Sequence, residues 1–122
     1  ALHLAMLHAS KYLCDELAML TKAFEQKAAQ FNHIIKMGRT QLQDAVPMTL
    51  GQEFQSFARS ISSEINTLTV GRKALNGVNM GGTAIGTGLN TPKGYSQKVI
   101  KYLRETSNIS ELYLAEDLVE AT

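Results

Sequence analysis

One cysteine, Cys14, stands in this sequence of 122 residues, so no disulfide can form within it. It falls on a helical stripe, where a reduced and buried thiol is expected, and that favours a cytoplasmic compartment. Proline is nearly as scarce: only Pro47 and Pro92 occur, and neither interrupts the chain before Gly38. No apolar run approaches the ~20 residues that a membrane-spanning helix needs, and no basic-then-apolar secretion signal opens the chain. Charge of one sign is not in excess either. The 12 basic and 11 acidic side chains are dispersed and leave a net charge of +1, so nothing asks for a nucleic acid or an anionic membrane as partner. Three histidines, His3, His8 and His33, lack the spacing of a metal-ligand pair and read as surface or interface residues.

Helical periodicity, by contrast, is abundant. Met6, Leu13, Leu17, Leu20, Phe24, Ala28, Phe31 and Ile35 recur at helix-face spacing, which predicts one helix over about 1–36. At ~1.5 Å per residue it would be ~50 Å long, more than a compact domain of this size spans, so it requires long neighbours. The chain opens inside this pattern, without a cap or an initiator methionine, and stops at Thr122 without a terminator, as expected of a piece of a longer chain. Thr49-Leu50-Gly51-Gln52 matches a capping box and predicts a second helix over 50–76, with a stripe of Leu50, Phe54, Phe57, Ile61, Ile65, Leu68 and Leu75. Gly71 inside it suggests close contact with another helix or a bend. A third helix is predicted over 94–107, and Asp117-Leu118 reads as the start of another. No strand is expected. The stripes are assigned to core or subunit contact, and exposed stripes on both long helices predict self-association.

Two loops, 37–49 and 77–93, separate these helices. In the first, Gly38 is expected to end the preceding helix with a positive φ, and Pro47 to keep Val46 out of the helical region. Between them a guanidinium, a hydroxyl, two carboxamides and a carboxylate lie within the six residues Arg39 to Asp44. Such a segment buries itself only by hydrogen bonding to something, although a hydrated helix connection has similar composition. The second loop, from Asn76 to Asn90, is rich in glycine. It lacks the Gly-Lys-Ser/Thr ending of a phosphate loop and reads as a tight crossing of backbone on backbone or ligand.

The stretch from Lys36 to Phe54 resembles the central motif of the fumarase and aspartate ammonia-lyase superfamily, and the 81–90 loop resembles its companion. The third helix and Ala115-Glu116-Asp117-Leu118 are similar to the segments that come after these motifs in that family. The resemblance implies an all-α fold, in which this chain supplies long antiparallel helices of the central helical, oligomerising bundle. It implies a homotetramer with active sites where loops of three subunits meet. The chemistry implied is removal of a proton next to a carboxylate, giving an aci-carboxylate that hydrogen-bond donors stabilise. Thr40 would bind a substrate carboxylate and Gln41 would lie near the leaving group, while Arg39, Gln43 and Asp44 would hold the loop's shape. Fumarases resemble Thr-His at this point. A carboxamide does not titrate near neutral pH and suits an amine leaving group, so Thr40-Gln41, with Gly94-Tyr95-Ser96, implies the branch that converts L-aspartate to fumarate and ammonia. Fumarate hydratase is the alternative. The family's catalytic serine would lie beyond this chain, which therefore carries one of three site segments and would be inactive alone. No cofactor is implied, and a divalent cation would enter only as an activator of the whole enzyme.

Overall fold

The computed structural model describes residues 1–121, and its elements come in the order α1 (Leu2–Gln30), β1 (Ile35–Thr40), β2 (Gln43–Thr49), α2 (Leu50–Ala74), β3 (Gly77–Val78), α3 (Tyr95–Ser107) and β4 (Tyr113–Leu114). Helices dominate, as expected, but the first of them is shorter than its apolar pattern. After Gln30 come Asn32, Ile34 and Ile35, which are poor or β-branched helix formers. The Phe31 carbonyl accepts from the amides of Ile34 and Gly51, both at 3.1 Å, and the Ile34 carbonyl from Leu50 at 2.8 Å, in place of the amides four residues on that a continued helix would offer. Thus 29 residues remain in α1, ~44 Å of helix.

The 37–49 stretch, expected to be a loop, is most of an antiparallel hairpin in which Ile35 pairs with Thr49 and Thr40 with Gln43. Gly38 is needed for a reason other than positive φ. The register slips between Met37 and Arg39, so that Ala45 and Val46 together face Gly38 in a β-bulge. A Cβ on Gly38 would lie 2.9 Å from the Val46 carbonyl oxygen and 3.2 Å from Met48 Sδ. Pro47, which has no amide to give to a ladder, is tolerated beside the bulge on a two-stranded ribbon.

The chain divides into two compact units, Ser10–Thr69 and Ala1–Ala9 with the stretch from Val70 onward. In the first, α1 and α2 pack antiparallel. Phe24 packs at a tilt against Phe54 and Phe57 at centroid distances of 5.8 and 5.7 Å, and Phe31 meets Phe54 at 5.5 Å. Ala28 and Ala58 are buried. Gly51 lets the backbones touch: a Cβ there would collide with the Ala28 carbonyl oxygen and lie 2.6 Å from Asn32 Cα. The capping box closes reciprocally, with Gln52 N donating to Thr49 Oγ1 at 3.1 Å and Thr49 N to Gln52 Oε1 at 2.9 Å. Two helices cannot cover both stripes, so Leu13, Leu20 and Phe57 remain exposed and Cys14 is only half-buried.

The second unit has its own core of Leu7, Val78, Ile100 and Leu112, the last completely buried, with Leu4, Leu75, Leu103 and Ile109 around it. β3 and β4 pair in parallel, Gly77 with Tyr113 and Val78 with Leu114. Gly94 precedes α3 at φ 82, and Asn108 ends it at φ 55, a left-handed cap that asparagine tolerates. Gly71, expected to mark a close contact or a bend, has no close contact: a Cβ there meets nothing within 4 Å. Asp117 opens a turn rather than a helix: its carboxylate accepts from the amides of Val119 at 2.8 Å and Glu120 at 3.1 Å. Among the described residues no helix is long and apolar enough to cross a membrane.

Candidate active site

Thr40 is the last residue of β1, and Gln41 with Leu42 makes the two-residue turn of the hairpin. Both turn residues have positive φ, 48° and 65°, the geometry of a type I′ turn, whose twist matches that of the flanking strands. The usual occupants are asparagine and glycine. A glutamine and a leucine here each give up on the order of 1 kcal/mol to steric crowding. Leu42 is moreover fully exposed, at 101%. The tip therefore carries local strain and presents an apolar side chain to solvent, a departure from what stability alone would select.

Thr40, with its hydroxyl, and Gln41, with its carboxamide, are consecutive at this tip and exposed, and neither side chain is hydrogen bonded to a described residue. They offer an O–H donor, two N–H donors and acceptor oxygens, but no group that titrates near neutrality. One rung below, Arg39 Nε donates to Asp44 Oδ1 at 3.1 Å across the ladder. With the two side chains 71% and 67% exposed the pair adds little stability, yet it draws together the strands that hold the turn. At the base of the hairpin Lys36 Nζ lies 2.7 Å from Glu53 Oε1 in the first turns of α2. Sequence reading misses this contact, because two charges 17 residues apart leave no local signal. It misses the hairpin as well, because the turn lacks the Asn-Gly signature.

The glycine-rich 81–90 loop lies in the other compact unit. Gly81 at φ 97 has no room for a Cβ against Ser96 of α3, and Gly86 at φ 85 none against the Leu118 backbone. Thr83 takes φ 62, an uncommon conformation for a β-branched residue. The loop is a close crossing of backbone on backbone, and Ile85 and Leu89 at its surface are exposed. His3 has a carbonyl rather than a carboxylate for partner; its Nδ1 is 3.0 Å from the Gly77 carbonyl oxygen, so Nδ1 carries the proton. Among the described residues no group of three His, Cys, Asp or Glu gathers in a way that could hold a metal ion.

Comparison with known proteins gives this geometry a context. A family model described as Lyase matches residues 1–122. Aspartate ammonia-lyase of Escherichia coli (strain K12) is 52% identical over 110 residues, which cover 90% of this chain and 23% of that protein. Aspartate ammonia-lyase of Helicobacter pylori is 43% identical over 122 residues, 100% of this chain and 26% of that one. Among solved structures, a fumarate lyase:delta crystallin from Brucella melitensis bound to cobalt superposes with a TM-score of 0.93 at 44% identity, covering 98% of this chain and 26% of that one. A class II fumarase from Schistosoma mansoni does so with a TM-score of 0.89 at 25% identity, covering 98% and 28%. The chain spans about a quarter of the length of the curated relatives it matches. The match runs through both loops and all three helices, so the chain belongs to the lyase family whose helical fold its two motifs resemble.

Proposed function

We propose that the full-length protein is an aspartate ammonia-lyase, interconverting L-aspartate with fumarate and ammonia, and that this chain carries one of its three active-site segments. The observation that carries the reading is the hairpin tip, where Thr40 and Gln41 are held together in a strained turn in a chain 43% to 52% identical to aspartate ammonia-lyases. A base removes the proton from the carbon next to the substrate carboxylate. The electron pair moves onto that carboxylate, which becomes a doubly charged aci-carboxylate, and the amine leaves from the neighbouring carbon. In this scheme Thr40 donates a hydrogen bond to a substrate carboxylate, where preorganised donors contribute most. Gln41 faces the leaving amine: its carbonyl oxygen accepts from the ammonium without competing for a proton. Arg39, Gln43 and Asp44 keep the turn in shape. The base, a serine in this reading, belongs to a segment outside this chain.

The same reading assigns the chain to the central helical, oligomerising domain of a homotetramer in the cytoplasm, where further copies would cover Leu13, Leu20 and Phe57. Divalent-cation activation belongs with it too, prompted by the cobalt of the Brucella melitensis neighbour. Among the described residues no group of three His, Cys, Asp or Glu gathers to hold such an ion. Fumarate hydratase is the second reading, favoured by the fold shared with the Schistosoma mansoni fumarase. Assay of the full-length protein separates the two: fumarate absorbance grows with L-aspartate under the first and with L-malate under the second. Thr40→Val should then lower turnover about a hundredfold or more, the 2.7–4 kcal/mol typical of a lost oxyanion donor. An unchanged rate would reject the role given to Thr40.

A further inference from the structure

The tip of the hairpin stands exposed at Thr40, Gln41 and Leu42. A two-stranded ribbon is marginal by itself, and a bulge at its middle bends it further. Apart from the capping box at Thr49, a single hydrogen-bonded side-chain link among the described residues joins the ribbon to a helix, the 2.7 Å contact of Lys36 Nζ with Glu53 Oε1. The site of that link is favourable. Lys36 is in β1 opposite Met48, and Glu53 stands just inside α2, whose first amides are already tied to Phe31 and Ile34. The side chains are 34% and 33% exposed, so water screens this pair less than the Arg39–Asp44 pair at the tip.

We propose that Lys36 and Glu53 are positioning residues that set the angle of the hairpin on α2 and thereby place Thr40 and Gln41. This rests on the function proposed above. Thr40 lies four residue steps beyond Lys36, a lever of about 13 Å at ~3.3 Å per residue. A rotation of about 5° at the base displaces the tip by about 1 Å, and a misplacement of that size costs on the order of a hundredfold in a reaction that depends on alignment. The pair acts through geometry, and neither member touches substrate.

The test uses the full-length protein. Lys36→Met should lower kcat for aspartate by about ten- to a hundredfold with KM changed far less, while subunit assembly and thermal midpoint stay near wild type. Lys36→Arg, which keeps the link, should restore kcat to within about threefold, and the exchange of Lys36→Glu with Glu53→Lys should recover most of the loss. Hydrogen exchange at the amides of β1 and β2 should quicken in Lys36→Met and return to wild-type rates in the exchanged pair. An undiminished kcat in Lys36→Met overturns the proposal, as does a loss that neither Lys36→Arg nor the exchange repairs. Should Lys36→Met fail to fold, Glu53→Gln, of equal size, decides in its place by the same criteria. A wild-type protein that leaves aspartate untouched removes the functional reading instead, and the exchange rates of the hairpin amides still decide whether the pair sets its angle.

Discussion

Two glycines lie inside α2, and alanine at each should act in opposite directions. On helix propensity alone, Gly→Ala gains up to about 1 kcal/mol in a helix interior and less in the first turn, where Gly51 lies. At Gly71 the new Cβ meets nothing within 4 Å, so the gain should be realised nearly in full. At Gly51 it would lie 2.6 Å from Asn32 Cα, about 0.8 Å inside the 3.4 Å at which ordinary contact begins, and would collide with the Ala28 carbonyl oxygen. These neighbours are backbone and cannot rotate aside. Relief requires α1 and α2 to part, which strains the Phe24, Phe31 and Phe54 cluster at the usual overpacking cost of about 1–3 kcal/mol. It also lengthens the Leu50–Ile34 and Gly51–Phe31 hydrogen bonds, each worth about 1 kcal/mol. Net of the propensity gain, Gly51→Ala should destabilise by about 3 kcal/mol. Denaturant unfolding of the full-length protein, with wild type and both variants in parallel, reads the difference as a shift of midpoint at constant slope. A Gly51→Ala protein as stable as wild type would refute the backbone contact between the helices.

Other substitutions test separate features. Thr49→Ala removes half of the capping box and should cost about 1 kcal/mol in the same assay. Leu112→Ala empties a completely buried position and should cost about 2–5 kcal/mol. Gly86→Ala should destabilise more than Gly94→Ala: both have positive φ, but only Gly86 has the Leu118 backbone against it, and equal thermal midpoints would contradict the crossing. Leu42→Gly relieves a left-handed leucine and should slow exchange of the hairpin amides by severalfold, for about 1 kcal/mol of strain removed.

Legibility in the sequence tracks the range of the interactions. The second and third helices can be read closely, because Thr49 and Gln52 are three residues apart and Gly94 and Asn108 bracket α3. The end of α1 cannot, since Phe31 and Ile35 keep helical spacing although their backbone turns toward α2. Thr40 and Gln41 read as loop residues and stand at a hairpin tip, where the positive φ of a glutamine and a leucine gives no residue signature. Gly38 reads as a conformational requirement and is a steric one, invisible until Val46 and Met48 are brought beside it. Periodicity also marks more residues as apolar stripe than two helices can hide, which is why Leu20 and Phe57 stay exposed.

The two compact units differ in how much chain must be complete before each can close. One is a continuous stretch whose hairpin closes through a two-residue turn, an event of about 1–10 μs once its residues exist. The other assembles Leu7 with Leu112, roughly a hundred residues apart, and its parallel strand pair forms only after α3 has been made. On a ribosome the continuous unit can thus be finished while Leu4 and Leu7 still lack Ile100 and Leu112. That interval is when this chain most needs protection from its neighbours.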